Sequence, residues 1–476
     1  MRITWADLAN ADGTGGRVED AEGETVELTG FPVAAGSARH AACFLLLPEA
    51  PCCAGPVPGN PRAAVEVFAD APLPMRTGAL RLTGEWRVSA DASPGDSPGG
   101  WRYRLHAARP LDPPGWVAVT RRGVLASGPL LCFAPSACAA TDPKRAEAAR
   151  GVIAAGTPID IHSHAGGIAH LARLRGGVGF IPIASPMRAG GMAVACLAMV
   201  ADMGTVHLAP EGRLRPFREP APGELRDQGA MAFGRILELA RSQGLRVIAT
   251  AADLRATRSG TPGVIIAAEG ADFLEGQIEA LDEAHRRWTL RHLQLTHYRV
   301  NALGDIQTEP PVHGGLTDFG AAVIRRCNAL GIMVDVAHGT LDLVRRAASV
   351  TSKPLVLSHT SLTNRPGAFS RQISAEHAKL IAGTGGVIGV WPPASIFPTL
   401  AAMAAGMARL ADVVGVDHVG LGSDMRGLTG ASVFSDYDSL PALAEALLEV
   451  GFSEADAGKV LGGNYARVFA ASVGDG

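Results

Sequence analysis

The chain has 476 residues, a formal net charge of −3 and 19% charged residues, a balance that speaks against a nucleic acid or an anionic membrane surface as its partner. With 47% hydrophobic residues it is long and apolar enough for two or three domains around a large buried core. Its seven cysteines include no Cys-x-x-Cys pair, which removes zinc-ribbon and thioredoxin-like readings, and a disulfide framework does not suit a chain of this length, although one bridge among Cys43, Cys52 and Cys53 stays open.

Residues from 1 to 110 read as short strands between turn-rich breaks. The opening MRITWADLAN has no basic start followed by an apolar core, so it is not a signal peptide. Strand candidates are ETVELTGFPV, HAACFLLLPEA, AAVEVFAD, GALRLTGEWRV and WRYRLHAA. The separators PCCAGPVPGNP and DASPGDSPGG are dense in Pro, Gly, Ser and Asp. The pattern predicts a small β-barrel or sandwich of the OB type. LTGFPV, FLLLPEAPCCAGPVPGNP and LRLTGEWRV resemble a small bacterial domain of unknown function found in exported proteins. Adjacent Cys52 and Cys53 suit either a metal or an ordinary packed turn.

Residues 111–145 read as a linker. Within it, Thr120-Arg121-Arg122-Gly123-Val124-Leu125 precedes the apolar run ASGPLLCFAPSACAA, which ends in Ala137-Cys138-Ala139. This resembles a twin-arginine export signal with an A-x-A cleavage site, although its internal position suits a plain linker equally. The expected location is therefore periplasmic or exported if the signal is used, and cytoplasmic otherwise. The apolar run is too short and too Pro-broken to span a membrane.

From 146 onward short apolar runs alternate with helical patterns. The runs are TPIDIHSH, GMAVACLAMV, PGVIIAAE, RHLQLTH, GIMVDVAH, PLVLSH, GGVIGVW and DHVGLGSD. Between them QGAMAFGRILELARSQG places Met231, Phe233, Ile236, Leu237 and Leu239 mostly on one helical face. TDFGAAVIRRCNALG has Gly331 as its C-cap, and SAEHAKLIAGTGG opens on the N-cap Ser374. Apolar strands alternating with helices predict a parallel sheet covered on both faces, and eight runs predict a closed (β/α)8 barrel of the TIM type. An open doubly wound sheet is the alternative, without a Gly-x-Gly-x-x-Gly after its first strand to support dinucleotide binding.

Metal-capable residues fall at the ends of these runs. They are His162 and His164 after the first, Glu269 after the third, His297 after the fourth, His338 after the fifth, His359 after the sixth and Asp424 after the eighth. In an extended segment residues i and i+2 share a side, so His162 and His164 face one spot. A single histidine after an apolar run is usually an ordinary hydrogen-bonded residue, but repetition at one edge of a barrel marks the catalytic face. Imidazoles with a carboxylate suit zinc or a similar ion. Four imidazoles and Glu269 exceed the needs of one tetrahedral ion, so two ions sharing Glu269 are expected, with Asp424 as the base beside a bridging water.

The segments IIAAEG, LQLTHYRVNALGD, GLTDFGAAVIRRCNALGIMVDVAH, PLVLSHTS, HVGLGSD and VLGGNYARVF resemble, in order, the membrane (renal) dipeptidase family of zinc peptidases, from about 159 to 469. The resemblance implies an amidohydrolase-type barrel that hydrolyses dipeptides, some with a C-terminal D-residue, through a metal-bridged hydroxide. It implies Glu269 as the bridge, His162 on the first zinc and His338 and His359 on the second. It further implies Asp424 as acid/base, His297 at the substrate carbonyl, and Arg371, after a small shift in loop length, on the substrate carboxylate. A homodimer is implied as well. Two positions depart from the family: His164 stands where an Asp is commoner, and Asp272 where many members carry a histidine. The first makes the site more positive and predicts a more acidic water with a weaker hold on the first metal. Two rival readings are another amidohydrolase reaction on a small amide, lactone or cyclic substrate, and an inactive barrel serving as a binding module.

Overall fold

The structure, a computed structural model, describes residues 3–4, 7–8, 18, 20–33, 40–47, 65–74, 80–88, 103–110, 142–169, 179–209 and 213–475. Cys52, Cys53 and the Arg121-Arg122 segment lie outside the described residues. The chain forms two units, Met1–Ala140 with Thr429–Ala431, and Thr141–Leu428 with Ser432–Gly476.

The first unit contains strands β1 (Thr25–Val33), β2 (His40–Leu47), β3 (Val65–Pro74), β4 (Leu80–Val88) and β5 (Tyr103–Pro110). They close into a barrel in the order β1-β2-β3-β5-β4, with β3 and β5 parallel and the other pairs antiparallel. Closure leaves the sheet no edge strand. Period-2 alternation fills its core: Val26 and Leu28, Val65 and Val67, Leu82 and Trp86, Tyr103 and Leu105 are all buried. Trp86 stacks on Tyr103 with ring centroids 5.4 Å apart, and its Nε1 donates to Val18 O at 2.9 Å. A buried indole thus brings a partner for its only polar atom.

The second unit is built on β6 (Ile159–Ser163), β7 (Val194–Val200), a hairpin of β8 (Val206–Leu208) and β9 (Leu214–Pro216), β10 (Arg246–Val247), β11 (Gly263–Glu269), β12 (Leu290–Gln294), β13 (Met333–Asp335), β14 (Leu355–Thr360), β15 (Val387–Val390) and β16 (Val419–Leu421). Eight of these pair in parallel in the ring β6-β7-β11-β12-β13-β14-β15-β16, and β16 returns to β6 through Leu421 and Asp160. The eight strands are the eight apolar runs, so the closed barrel prevails over the open sheet. The short β10 adds to β11 at Arg246 and Val247.

Both faces of each strand are buried, which is why the runs are apolar without interruption. In β7, Val194, Cys196 and Ala198 pack into one cluster with Ile265, Met333, Tyr465 and Phe469. The alternate Ala195, Leu197 and Met199 join the layer under the helices, with Phe233, Ile236 and Leu239 of helix Glu224–Ser242. Met231 differs from expectation. It is 45% exposed, because the buried rows of this helix run through Leu225, Ala232, Ile236 and Leu239 and leave position 231 on the opposite side. Gly331 takes a left-handed φ of 73° as a C-cap, and Ser374 accepts from His377 N as an N-cap. Among the described residues no helix is long and apolar enough to cross a membrane.

His377, in the helix Ala375–Gly383, is 4% exposed, and its Nε2 has no hydrogen-bond partner among the described residues. Burial, reinforced by Arg371 and Arg345 against an opposing Glu376, lowers its pKa to about 4. As pH falls below about 6.5 the unfolded chain takes up this proton while the folded chain does not, so acidification costs up to about 3 kcal/mol by pH 4. Replacing His377 by Leu is expected to shrink the fall in Tm between pH 7 and pH 5. Melting curves of the two proteins with equal slopes against pH would contradict this.

Candidate metal centre

All eight ring strands send a side chain to the carboxyl end of the barrel, where such folds place their chemistry. His162 and His164 come from β6 and Glu269 ends β11. His297, His338, His359 and Asp424 belong to β12, β13, β14 and β16 or the turns after them. Sequence reasoning missed the other two strands. Asp202 follows β7 by two residues, and Trp391 directly follows β15. The signal for Asp202 was its place just beyond an apolar run, the same signal that marked its neighbours.

Glu269 stands at the centre. Its Oε1 lies 3.2 Å from His338 Nε2, 3.4 Å from His359 Nε2 and 3.5 Å from His162 Nε2. Its Oε2 lies 3.1 Å from His164 Nε2 and 3.3 Å from His297 Nε2. The Nε2 atoms of His162 and His164 are 3.2 Å apart, those of His338 and His359 3.1 Å. His164 Nε2 also faces Asp424 Oδ1 at 3.4 Å. All these side chains are at least nine-tenths buried. The structure thus brings together every predicted donor.

For four of the five rings the far side explains why Nε2 points inward; His338 Nδ1 has no hydrogen-bond partner among the described residues. His164 Nδ1 is 2.8 Å from Ala198 O, an oxygen that can only accept, so Nδ1 carries the hydrogen. The Ser358 hydroxyl meets His359 Nδ1 at 2.9 Å and His162 Nδ1 at 3.4 Å. His297 Nδ1 is 2.7 Å from Asp202 Oδ1, and Asp202 Oδ2 also accepts from Tyr298 N at 3.1 Å. A neutral imidazole protonated on Nδ1 offers its Nε2 lone pair to a cation. Zinc–nitrogen bonds of about 2.0–2.1 Å in a tetrahedron place donors about 3.3 Å apart. The observed spacings bracket that value, so the donor set fits such ions. The donors fall into three overlapping groups: His162, His164 and Asp424; His162, Glu269 and His359; Glu269, His297 and His338.

Burial alone would protonate Glu269, but His297, His162 and His164 outweigh it and hold the carboxyl well below its ordinary value. Burial, with Arg371 adding to it, keeps His338 and His359 well below theirs, hence neutral. His164 goes the other way. Burial opposes its charge, yet Asp424 and Glu269 raise its pKa to about 10. For His297 burial is likewise outweighed, by Asp202 and Glu269, and its pKa rises.

Two of the expected positions lie beside the donors. Arg371 is buried, donating from Nη1 to Gln307 Oε1 at 2.9 Å and from Nη2 to His359 O at 3.3 Å. Asp272 lies in the wall of a separate cavity with Arg299 and Asn301. There it accepts from Asn301 Nδ2 at 3.0 Å, and burial followed by repulsion from Asp202 raises its pKa to about 7. The donors themselves open onto a cavity of about 210 Å³, walled by Val200, Met203, Val206, Leu214, Tyr298 and Trp391. Both His338, with φ 66°, and Asp424, with φ 46°, hold left-handed backbone. That conformation costs a non-glycine residue about 1–3 kcal/mol and recurs at functional sites. It is fixed here by Gln307 N to His338 O at 2.7 Å and by Asp424 N to His162 O at 2.9 Å.

A sequence model of the membrane dipeptidase family, peptidase family M19, matches residues 222–473. The chain belongs to that family. It is similar to the dipeptidase verJ of Clonostachys rogersoniana, 28% identical over 220 residues, which covers 44% of this chain and 55% of that protein. It is similar too to the dipeptidase aclJ of Aspergillus oryzae, 31% identical over 217 residues, covering 43% and 50%. The chain therefore spans about half the length of the curated relatives it matches. Among solved structures, a metallo peptidase from Rhodobacter sphaeroides liganded with a phosphinate mimic of the dipeptide L-Ala-D-Ala superposes with a TM-score of 0.59 at 23% identity, over 66% of this chain and 99% of that one. The probable dipeptidase PvdM from Pseudomonas aeruginosa gives 0.58 at 18%, over 70% and 99%. These likenesses establish the shared fold.

Replacing Glu269 by Gln removes the anion that both imidazole pairs face. Elemental analysis is expected to find the variant depleted of bound metal, while its circular dichroism stays that of the barrel. Two equivalents of metal in Glu269→Gln would rule out a shared carboxylate.

Proposed function

We propose that the barrel is a metal-dependent dipeptidase using two divalent ions, zinc by donor chemistry, held by His162, His164, Glu269, His338 and His359. The observation that carries this reading is the single buried carboxylate with three imidazole nitrogens within 3.5 Å of one oxygen and two within 3.3 Å of the other, at the floor of a small cavity. Ions bound by such donors polarise a carbonyl and lower the pKa of water to about 7, which supplies an ionised nucleophile at neutral pH.

The chain's own residues supply the rest. Asp424 lines the cavity beside His164 and takes the proton of the attacking water, then passes it to the leaving amine. His297 lines the same cavity with its ring anchored on Asp202. With its pKa raised by Asp202 and Glu269 against the opposing effect of burial, the ring carries a hydrogen on both nitrogens, and its Nε2–H donates to the substrate carbonyl as negative charge gathers on that oxygen. Asp202 acts through His297 and is a positioning residue. Met203, Val206 and Leu214 give an apolar wall against which a small side chain packs, and they keep bulk water from the reacting bond. The Rhodobacter sphaeroides neighbour holds a mimic of L-Ala-D-Ala, which supports including dipeptides with a C-terminal D-residue among the substrates.

Hydrolysis of L-Ala-L-Ala and L-Ala-D-Ala by the zinc-supplemented protein tests the activity. Asp424→Asn is expected to lower kcat by about 10²–10⁴ with metal content unchanged. Full turnover in that variant would remove Asp424 from the role. Asp202→Asn is expected to lower kcat by about 10–100-fold at unchanged metal content, with a smaller change in KM, as loss of a ring anchor does. A variant that loses metal instead would make Asp202 part of the ion-holding shell.

A further inference from the structure

A second cavity, of about 530 Å³, takes no part in the chemistry of the metal centre. Its size falls within the roughly 300–1,000 Å³ usual for small-molecule sites. Pro220, Pro222, Leu225, Val300 and Leu303 supply apolar walls, and the charged side chains Asp272, Glu275 and Arg299 line it too.

These charged groups are not equally committed. Glu275 is spent on backbone: its Oε2 accepts from Gly223 N at 2.9 Å and its Oε1 from Leu225 N at 3.0 Å. Asp272 is different. It is 5% exposed, and Asn301 Nδ2 donates to its Oδ2 at 3.0 Å. The same amide donates to Leu295 O at 3.0 Å, and its Oδ1 accepts from Leu303 N at 2.9 Å. Asn301 is thus occupied at both ends and fixes one carboxylate oxygen of Asp272. The other, Asp272 Oδ1, has no hydrogen-bond partner among the described residues. Burial and repulsion from Asp202 outweigh Asn301, His297 and Arg299 and raise the pKa of this carboxyl to about 7, as befits an anion short of countercharge. Among the described residues no group of donors suited to a metal includes Asp272 or Glu275. The partner that fits Oδ1 is therefore an organic N–H donor, best a cationic one.

Arg299 offers the opposite charge. Its Nη1 donates to Arg218 O at 3.0 Å, which holds the guanidinium in place. Its Nη2 pairs with Glu219, whose side chain is 86% exposed. A carboxylate so open to water gains little from its pairing and is easily exchanged for another. The cavity thus presents an acceptor without a donor, a guanidinium with a replaceable anion, and apolar surface beside them.

We propose that this cavity binds a free α-amino acid with an apolar side chain, its ammonium on Asp272 Oδ1 and its carboxylate on Arg299. Amino acids are also what the proposed hydrolysis releases, but the site stands on its own residues and not on the dipeptidase reading.

Calorimetric titration of the full zinc-supplemented chain tests this, with L-leucine, isopentylamine, which lacks the carboxylate, and N-acetyl-L-leucine, which lacks the ammonium. L-leucine is expected to bind saturably and more tightly than either analogue. Asp272→Asn keeps the shape and an acceptor for Asn301, and it is expected to weaken L-leucine about 10- to 100-fold, as is Arg299→Gln. Isopentylamine is expected to lose affinity in Asp272→Asn and to be indifferent to Arg299→Gln. Circular dichroism confirms that each variant is folded. Repeating the titration on chelator-treated protein separates this cavity from the metal centre. L-leucine binding that survives metal removal and falls in both variants supports the proposal, whether or not any dipeptide is hydrolysed. Absence of saturable binding overturns it, as does binding that vanishes with the metal, binding that is equal in Asp272→Asn, or isopentylamine bound as tightly as L-leucine. Failure to hydrolyse L-Ala-L-Ala counts against the dipeptidase reading alone.

Discussion

A buried carboxylate ringed by imidazoles sets the terms for the rest of this barrel. Glu269 is 2% exposed, and taking an ion of that kind out of water is costly unless opposite charge or hydrogen bonds replace the lost hydration. Charge and hydrogen bonds from His297, His162 and His164 offset that cost, and five histidine Nε2 atoms from four other strands lie within 3.5 Å. None of those strands is adjacent in sequence to all the others, so the arrangement exists only when the ring is complete. The side-chain anchors behind the rings, Ser358 and Asp202, exist for the same reason. They decide which nitrogen faces Glu269 and therefore whether a cation or a proton is the better guest.

Beneath this layer lies a second set of buried polar groups that hold the strand ends in register. Where β16 meets β6 the ladder contributes one residue pair, Leu421 with Asp160. Asp160 makes up for the short ladder by accepting from Ser423 N at 2.8 Å, from the Ser423 hydroxyl and from Tyr437 OH at 3.0 Å. Burial is the larger influence on Asp160 and raises its pKa to about 6 in spite of those donors. On the opposite side Asp335 accepts from Ser358 N at 3.1 Å and from Ala337 N at 2.9 Å, and it pairs with His292 at 3.1 Å. Each of these carboxylates ties a strand to the element that carries a metal-facing histidine, so errors of register at the floor would be felt at the site above.

Much of this was legible from the order of residues. His162 and His164 announced themselves because extended backbone has a period of two, and Glu269, His338 and His359 because each closes an apolar run. Asp202 escaped notice, since Ala201 and Asp202 continue past the last ladder residue of β7 and no second metal-capable group stands near them. Arg371 was placed near the site by likeness, and only tertiary contacts reveal that Gln307 and the His359 carbonyl hold Nη1 and Nη2 while Nε has no partner among the described residues. Met231 read as apolar and hence as core. Hydropathy cannot tell which side of a helix a borderline position takes until the neighbouring rows are packed.

The seam between β6 and β16 has a temporal consequence. Both partners of that junction are needed for closure, yet β6 is the first of the eight ring strands to be made and β16 the last. A nascent chain emerging from the ribosome would present every imidazole of the cluster well before Asp424 arrives. The full set of donors and the closed ring thus come together only once the last of the eight ring strands has been made, and a chain truncated before β16 would carry all five imidazoles and Glu269 without Asp424 and without ring closure.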